Sequence, residues 1–558
     1  MDKLSVIVIF LSVIHTLSYG AIVRTNNGPV RGEKFSNYYA FLGVQYAESP
    51  IEQKRFEPVG IFRETWTEVK KATEFAPYCL QSRNNKVSGE EDCLFLNVYT
   101  SQIDVPEEAE KLPVFVHFHG GGFTFGSGTF FTPERMLKLN RMVFVTVNYR
   151  LGPLGFLSTE DEVVPGNMGL KDQVVALQWI KENIENFGGN PESVTLSGFS
   201  AGGASVHLHY LSPLSRGLFH RGISHSGCAL NPWVLTEKSQ EKAKKLASLL
   251  SCPSTTSVEM IECLKSKPAR ELVNMVPHFQ PWISNPFTPF GVVVEHFGKD
   301  SFLPSHPEII YKDNKVAKLP WIVGFTDAEG IFPAGEFLQD STSLSELRDR
   351  WDELARFVLD FNATVRLENI QDVSDSVLRH YLGKKDLSEK NFDDLVKMMS
   401  DRHFGADISR CVRHHSKVAK TYLYFFAFPA KFGVSQITLG MDTKVNGAAH
   451  GDDVFILLKN KHDPREEQTT DERAMNHLLT DMYMSFADNS TPRLGDYVFE
   501  DVTSRGYLSM LQINSPRDIT MKVVSSVGDE TFWISLAIDE FSIPGENTNQ
   551  EDRSYEEL

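Results

Sequence analysis

The chain has 558 residues, of which 41% are hydrophobic, and its formal net charge is −17. This length and apolar content are enough to bury a sizeable core. The acidic balance, without any basic stripe to offset it, argues against nucleic acid or an anionic membrane surface as a partner. The sequence contains no repeat of solenoid or propeller period and no low-complexity linker, which favours one elaborated domain over several independent ones.

Residues 1–20 have the features of a cleaved secretory signal peptide. Their apolar run, Leu4–Ile14, is long enough for export but too short to span a bilayer. We therefore expect a mature chain of residues 21–558, secreted and without a membrane span. The last four residues, Tyr555–Leu558, loosely resemble an ending that retains proteins in the endoplasmic reticulum, so the lumen of that compartment is the alternative location.

A glycine-rich loop follows the first strongly apolar stretch. The run Val114–Phe118 predicts a buried strand, and His119 and three consecutive glycines come directly after it. Bare backbone N–H groups, such as those of Gly121 and Gly122, can approach a substrate oxygen closely and stabilise negative charge on it. The alternative is a flexible turn without chemistry.

A second motif lies about eighty residues later. Gly198-Phe199-Ser200-Ala201-Gly202 stands between a short apolar strand, Val194–Ser197, and a helix-like run, Ala201–Leu211. This G-x-S-x-G pattern is typical of a nucleophile elbow, in which small flanking residues permit the sharp turn that exposes the serine oxygen. Ser200 is the candidate nucleophile, and the N–H of Ala201 is a third candidate donor to an oxyanion.

The predicted elements alternate between strands and helices. One helical stretch presents four apolar side chains on one face before a glycine pair that should end it: Val174, Leu177, Ile180 and Ile184, then Gly188-Gly189. Alternation of this kind predicts a mostly parallel sheet. With a glycine-rich loop and an elbow in the correct chain order, the sequence indicates an α/β-hydrolase fold, a central mostly parallel sheet flanked by helices.

The acid and the base of such a site should follow the serine in the chain. A predicted strand, Tyr422–Phe428, precedes a glycine-containing loop that carries His450, the candidate base. Another predicted strand, Pro320–Phe325, runs into a turn with two carboxylates, Asp327 and Glu329. Chemistry alone leaves either of them as the partner that orients the imidazole.

Several longer motifs carry a resemblance. They are Glu91–Tyr99 (EDCLFLNVY), Asn148–Gly152 (NYRLG), Gly166–Gln173 (GNMGLKDQ) and Phe187–Pro191 (FGGNP). With the elbow, they resemble the type-B carboxylesterases, the family that includes cholinesterases, and most of all the secreted insect esterases. The matches extend from about Gly28 to His450 and beyond.

The resemblance implies a role for each site residue. The family has a glutamate immediately before a glycine at the acid position, which selects Glu329 and leaves Asp327 as a structural or capping residue. Ser200 is then the nucleophile, His450 the base and Glu329 the acid. Ser226 matches a family serine near this triad, so it is either a supporting member or an ordinary serine in a turn.

The resemblance also implies covalent features of an exported protein. The six cysteines suit an oxidising compartment, and four of them match family disulfide loops, Cys79–Cys93 and Cys252–Cys263. Cys228 and Cys411 remain, and we expect buried free thiols, with a long-range bridge as the alternative. Asn362 and Asn489 begin glycosylation sequons.

Departures from the family's motifs narrow the range of expected substrates. Cholinesterases have a glutamate just before the nucleophile, whereas this chain has Phe199, and the loop between Cys79 and Cys93 contains no aromatic residue. A quaternary ammonium group needs an aromatic face or a nearby negative charge, so cholinesterase activity is not expected. Juvenile hormone esterases share Asp172-Gln173 but usually have glutamine in place of Phe199.

The sequence thus predicts an exported serine carboxylesterase that hydrolyses small uncharged carboxylic esters, without a cofactor or a metal ion. Three alternatives remain open. The first is a hydrolase of juvenile-hormone type, and the second is a non-catalytic, esterase-like adhesion protein. The third is a lipase, which would need an amphipathic lid that the sequence does not reveal.

Overall fold

The computed structural model describes residues 20–103, 110–298, 300–339, 341–440, 446–502 and 507–541. The expected signal peptide, apart from Gly20, and the last seventeen residues of the chain lie outside these ranges. Within them, no helix is both long enough and apolar enough to cross a membrane.

A central sheet of eleven strands organises the described residues. The strands are β1 (Glu33–Lys34), β2 (Tyr39–Gln45), β3 (Phe95–Thr100), β4 (Leu112–Phe118), β5 (Val143–Val147), β6 (Gly189–Phe199), β7 (Arg221–His225), β8 (Trp321–Thr326), β9 (Thr421–Phe426), β10 (Leu508–Ser515) and β11 (Asp518–Val524). Their spatial order is β11-β10-β9-β8-β7-β6-β4-β5-β3-β2-β1. Strands β4 to β10 are parallel, and antiparallel strands flank them at both edges. The predicted α/β class with a mostly parallel sheet is confirmed.

Short strands pair outside this sheet. They are Ile22–Arg24, Pro29–Arg31 and Lys70–Lys71 in one group, and the pairs Gln81–Arg83 with Lys86–Ser88, Phe131–Thr132 with Lys459–Asn460, and Arg493–Leu494 with Tyr497–Val498.

Helices cover the sheet and extend beyond it. They are α1 (Glu134–Leu137), α2 (Gly152–Phe156), α3 (Met168–Asn183), α4 (Ala201–Leu211), α5 (Ser239–Leu249), α6 (Ser257–Ser266), α7 (Ala269–Asn274), α8 (Pro307–Lys312), α9 (Ile331–Gln339), α10 (Ser341–Asp349), α11 (Trp351–Val358), α12 (Ile370–Leu382), α13 (Phe392–Ser400), α14 (Ala406–His415), α15 (Val434–Leu439), α16 (Asp452–Leu457), α17 (Thr470–Asn489) and α18 (Glu530–Ile534). A single π-helical turn, Asp401–Gly405, joins α13 to α14.

The two faces of the sheet bury different sets of side chains. Along β4, Val114 and Val116 belong to the apolar cluster that includes α3 and α4, whereas Phe115 belongs to the cluster that includes α16 and α17. This alternation follows from the two-residue period of a strand. A third apolar cluster, built mostly by α9 to α13, includes Ala328, which follows β8, and Ala449, which precedes His450.

The predicted end of α3 needs a correction. The helix ends at Asn183 and continues as a 3₁₀ turn to Phe187, and Gly188 then reverses the chain with φ of 79°. Gly189 does not stop the helix but begins β6, where it pairs with Leu112. A side chain at Gly189 would place its Cβ atom 2.8 Å from Val114, so the glycine permits this close strand contact.

A buried ion pair anchors the segment after β5 to α3. The Arg150 guanidinium donates two hydrogen bonds to the Asp172 carboxylate, at 2.7 and 2.8 Å, and the Arg150 backbone N–H donates a third at 3.0 Å. The side chains are only 3% and 0% exposed. Because both side chains are buried, water cannot solvate either charge if its partner is removed. The stability of each buried charge therefore depends on the other.

We predict that Asp172→Ala lowers the free energy of unfolding by about 3–5 kcal/mol, because it leaves the Arg150 cation buried without its partner. The measurement is urea unfolding followed by tryptophan fluorescence. Glu353→Ala is the control, since it removes an ion pair with Arg350 whose side chains are about half exposed, and it should leave the midpoint unchanged. Equal midpoint shifts for the two variants would contradict the prediction.

Candidate active site

The elbow at the end of β6 holds Ser200 in a strained conformation. Its φ of 59° and ψ of −122° lie outside the regions that L-residues normally adopt. The turn closes because neither flanking glycine has a side chain. A Cβ atom on Gly198 would lie 2.1 Å from the Gly202 oxygen, and one on Gly202 would lie 1.9 Å from the Phe118 oxygen. The predicted strand–turn–helix arrangement is therefore present, with α4 beginning directly after Ser200.

The glycine-rich loop after β4 lies against this elbow. A Cβ atom on Gly120 would come within 2.9 Å of the Ser200 Cβ atom. Gly121 and Gly122 have φ values of 109° and 57°. Within the described residues, the N–H groups of Gly121, Gly122 and Ala201 donate no hydrogen bond to the protein. Two unused donors thus lie in the loop that contacts the elbow, and the third belongs to the residue directly after Ser200.

Glu329 is a fully buried carboxylate with three hydrogen-bond partners. One of its oxygens lies 2.5 Å from Nδ1 of His450. The other accepts hydrogen bonds from the Ser226 hydroxyl at 2.5 Å and from the Thr326 backbone N–H at 2.7 Å. These contacts fix the orientation of the carboxylate, and it in turn fixes the imidazole ring.

The His450 ring is packed between aromatic side chains. Its centroid lies 4.6 Å from the rings of Phe199 and Phe404 and 5.2 Å from that of Phe332. Its second nitrogen, Nε2, is buried and makes no hydrogen bond to any described residue, Ser200 included. Catalytic hydrogen bonds of this kind are often long before substrate binds. Phe332 and Phe404 also line the pocket that contains Ser200, so the His450 ring packs against two residues of that pocket's lining.

Asp327, the other carboxylate considered from the sequence, has a different environment. It accepts a hydrogen bond from the Ala448 backbone N–H at 2.6 Å. This contact ties the turn after β8 to the loop that carries His450, without touching the imidazole. Asp327 thus contacts the backbone of the loop, whereas Glu329 contacts the His450 ring itself.

The pocket beside Ser200 is narrow, mostly aromatic and partly acidic. Its lining residues are Ser200, Trp233, Ser284, Asn285, Phe287, Phe332, Pro333, Glu336, Phe357, Asp360, His403 and Phe404. Its free volume is about 30 Å³, far below the roughly 300–1,000 Å³ of typical ligand pockets. A much larger cavity, about 590 Å³, lies elsewhere and is not lined by Ser200. A substrate of ordinary size would therefore require the aromatic rings of the smaller pocket to move apart.

A buried polar network behind the elbow was not predicted. His225 ends β7, and its carbonyl accepts the Ser200 N–H at 2.8 Å. Its imidazole bonds to Asp453 at 2.7 Å through Nδ1 and to the Tyr483 hydroxyl at 2.7 Å through Nε2. Tyr424 also donates to Asp453, at 2.5 Å. The local sequence around either residue does not indicate this contact, because His225 and Asp453 are 228 positions apart.

The structure also locates the residues expected to carry covalent features. Sulfur atoms are bonded within the two expected pairs, Cys79–Cys93 and Cys252–Cys263. Cys228 and Cys411 are free and buried.

The two sequon asparagines differ in their surroundings. Asn489 is exposed at the end of α17, whereas Asn362 is only partly exposed. The exposed position offers the easier approach to a glycosylating enzyme.

Comparison with known proteins agrees with this geometry. The sequence model of the carboxylesterase family matches residues 20–527. Venom carboxylesterase-6 of Apis mellifera is 38% identical, over 97% of this chain and 99% of its own length. Esterase FE4 of Myzus persicae is 39% identical, over 78% of this chain and 79% of its own length.

A solved structure shares the fold. It is a juvenile hormone esterase from Manduca sexta with OTFP covalently attached, with a TM-score of 0.79 and 26% identity. The match covers 90% of this chain and 96% of that one. The α/β-hydrolase architecture, the family match across almost the whole chain and the similarity to insect esterases lead to one conclusion: this chain belongs to the carboxylesterase family and is a carboxylic-ester hydrolase.

Proposed function

We propose that this protein is an exported serine esterase that hydrolyses uncharged carboxylic esters through an acyl-enzyme on Ser200. One observation carries the proposal. The strained serine lies against a loop with unused N–H donors, and a buried carboxylate holds an imidazole that packs against two aromatic residues of the serine's pocket. Export is supported by the two disulfides and by the relative named for venom. Strands of one sheet, from β1 to β11, support residues 21–558 as a single domain.

Each group has one role in the proposed reaction. His450 Nε2 takes the Ser200 proton as the serine oxygen attacks the ester carbonyl carbon. The N–H groups of Gly121, Gly122 and Ala201 stabilise the oxyanion of the tetrahedral intermediate. The intermediate collapses, and His450 returns the proton to the departing alcohol. Water then attacks the acyl-enzyme in the same way and releases the acid.

The acid partner has a separate role in this scheme. Glu329 fixes the Nδ1–H tautomer of His450 and stabilises the imidazolium that forms, without taking the proton itself. Ser226 positions this carboxylate through its 2.5 Å hydrogen bond. The free Nε2 atom of His450 matches this assignment, because the other ring nitrogen is occupied by Glu329.

A hydrolase of juvenile-hormone type is the second candidate, because the solved structure with a TM-score of 0.79 is a juvenile hormone esterase. Phe199, in place of the glutamine usual in those enzymes, favours a broader esterase. A screen of acyl length against alcohol size, with a methyl ester of juvenile-hormone type included, separates the two. A kcat/KM for that methyl ester far above all other values would favour the hormone hydrolase.

We predict that an organophosphate labels Ser200 in one-to-one stoichiometry and abolishes hydrolysis of a short-chain aryl ester. Ser200→Ala should abolish the labelling and lower kcat by a factor of at least about 10⁴, because no other hydroxyl occupies the elbow. Ser226→Ala is the matched control and should still be labelled. Mass spectrometry of the labelled peptide and steady-state kinetics are the measurements. A fully active Ser200→Ala variant would falsify the assignment.

We predict that Glu329→Gln and Asp327→Asn differ in their effect. Glu329→Gln should lower kcat by about 10³–10⁴, because an amide can select the wrong imidazole tautomer and cannot stabilise the imidazolium. Asp327→Asn keeps an oxygen for the Ala448 N–H and should cost less than about tenfold. The kcat values of both variants, measured on one ester, decide this. A large loss confined to Asp327→Asn would make Asp327 the acid.

We predict that the pocket selects against negatively charged substrates. Glu336 accepts a hydrogen bond from the Ser284 hydroxyl and lines the pocket together with Asp360. Burial raises the pKa of Asp360 to about 7, and Glu237 adds to this effect. The ionised fraction of Asp360 is therefore smaller at pH 6 than at pH 8. An anionic acyl group should meet more repulsion as the pH rises.

The test compares kcat/KM for 4-nitrophenyl hexanoate and for the 4-nitrophenyl monoester of adipic acid. The neutral ester should be preferred by at least about tenfold at pH 8, since about 1.4 kcal/mol of repulsion is one decade. In the native protein, the ratio of kcat/KM for the neutral ester to that for the anionic ester should rise between pH 6 and pH 8. In Asp360→Asn this ratio should not change with pH. Glu52→Gln, at an exposed carboxylate outside the pocket, is the control. Taking the ratio for the two esters cancels any pH dependence that both reactions share. A pH-independent ratio in the native protein would rule out this role for Asp360.

A further inference from the structure

Two cysteines that the proposed reaction does not use lie in contact with each other. The sulfur atoms of Cys228 and Cys411 are 2.8 Å apart, although the residues are 183 positions apart in the chain. This separation is shorter than the roughly 3.5–4.0 Å at which even non-bonded carbon atoms pack. Both residues are fully buried. The fold has thus already brought the two sulfur atoms almost to bonding distance.

We infer that Cys228 and Cys411 form a third disulfide in the exported protein. The inference rests on the export included in the proposed function, because a reducing compartment would keep both cysteines as thiols. Two thiols become one S–S bond and lose two protons and two electrons. A dithiol–disulfide oxidant, such as a disulfide oxidoreductase or oxidised glutathione, accepts them and leaves as two thiols.

The burial of the two cysteines determines the stage of folding at which the disulfide can form. Attack on a disulfide requires a thiolate, and burial raises the pKa of the Cys411 thiol well above its usual range. Neither residue is exposed to solvent in the folded protein. The bond must therefore form while the chain folds, before the loop after β7 closes against α14.

A metal ion is the competing explanation for this cluster. The ligand atoms of His207, Cys228 and Cys411 lie within 4.8 Å of one another. Both nitrogens of His207 already have partners, however. Nδ1 accepts the Ala229 N–H at 3.1 Å, and Nε2 is 2.7 Å from the Tyr311 hydroxyl. A metal would have to displace one of these contacts and ionise two buried thiols, which favours the bridge.

The bridge would act on the candidate site through Ser226. Cys228 is two residues beyond this serine, whose hydroxyl holds Glu329. The Cys228 backbone N–H donates to the Asn231 side chain at 2.7 Å, and Asn231 donates to the Phe404 carbonyl at 3.2 Å. A covalent link to α14 would fix the same segment from its other side. The bond would thus position the carboxylate that orients the imidazole.

The test uses the full chain secreted from insect cells. The protein is unfolded without reductant, alkylated with iodoacetamide, digested and analysed by mass spectrometry. We expect a cross-linked peptide containing Cys228 and Cys411 and no alkylated cysteine. Alkylation of these two alone, with the other four cysteines bridged, overturns the inference but leaves export standing. Six alkylated cysteines would overturn both. A bound metal ion found by native mass spectrometry would also overturn it.

Unfolding by urea supplies an independent measurement. The double variant Cys228→Ala/Cys411→Ala should lose about twice as much free energy of unfolding as Cys252→Ala/Cys263→Ala. The reason is the larger loop that the bridge closes, since its residues are 183 rather than 11 positions apart. Reductant added during unfolding should reduce the difference in midpoint between the native protein and the first variant. A difference that is the same with and without reductant would contradict the bridge.

Discussion

The close approach of two backbone segments around Ser200 is the constraint on which the site depends. The glycine loop after β4 and the turn after β6 are so near that a side chain on Gly120 or Gly202 would collide with its neighbours. The contact leaves the N–H groups of Gly121 and Gly122 unused near the serine, on a loop segment whose glycines have no side chains. Electrostatic stabilisation of this kind depends on donors that are already oriented before the reaction begins.

The second requirement is an imidazole that cannot rotate. Glu329, Ser226 and Thr326 form a chain of short hydrogen bonds, and three phenylalanine rings enclose His450. The orientation is therefore set before any substrate arrives. Two of these rings, Phe332 and Phe404, also line the narrow pocket that contains Ser200, so a substrate that enters it must displace side chains that pack against the imidazole. We therefore expect the size and shape of the substrate to influence the rate strongly.

Local patterns predicted much of the fold because short-range physics decides them. The helix Ala201–Leu211 was predicted with its observed bounds, and the strands beginning near Val114 and Trp321 were displaced by at most two residues. The extent of β6 was underestimated, because Gly189 looked like the end of a helix. Its role as the first residue of a strand depends on pairing with Leu112, a contact that the local sequence does not contain.

The sequence by itself determined the sheet class, the elbow and the candidate serine, since each follows from residues that are neighbours in the chain. It restricted the acid to Asp327 or Glu329, and only the resemblance chose between them. The tertiary structure decided which carboxylate reaches His450, what surrounds that ring, and that Cys228 meets Cys411. Most of these contacts join segments more than a hundred residues apart, as His450 with Glu329 and Cys228 with Cys411. Such contacts form only when the sheet and its helices pack into one core.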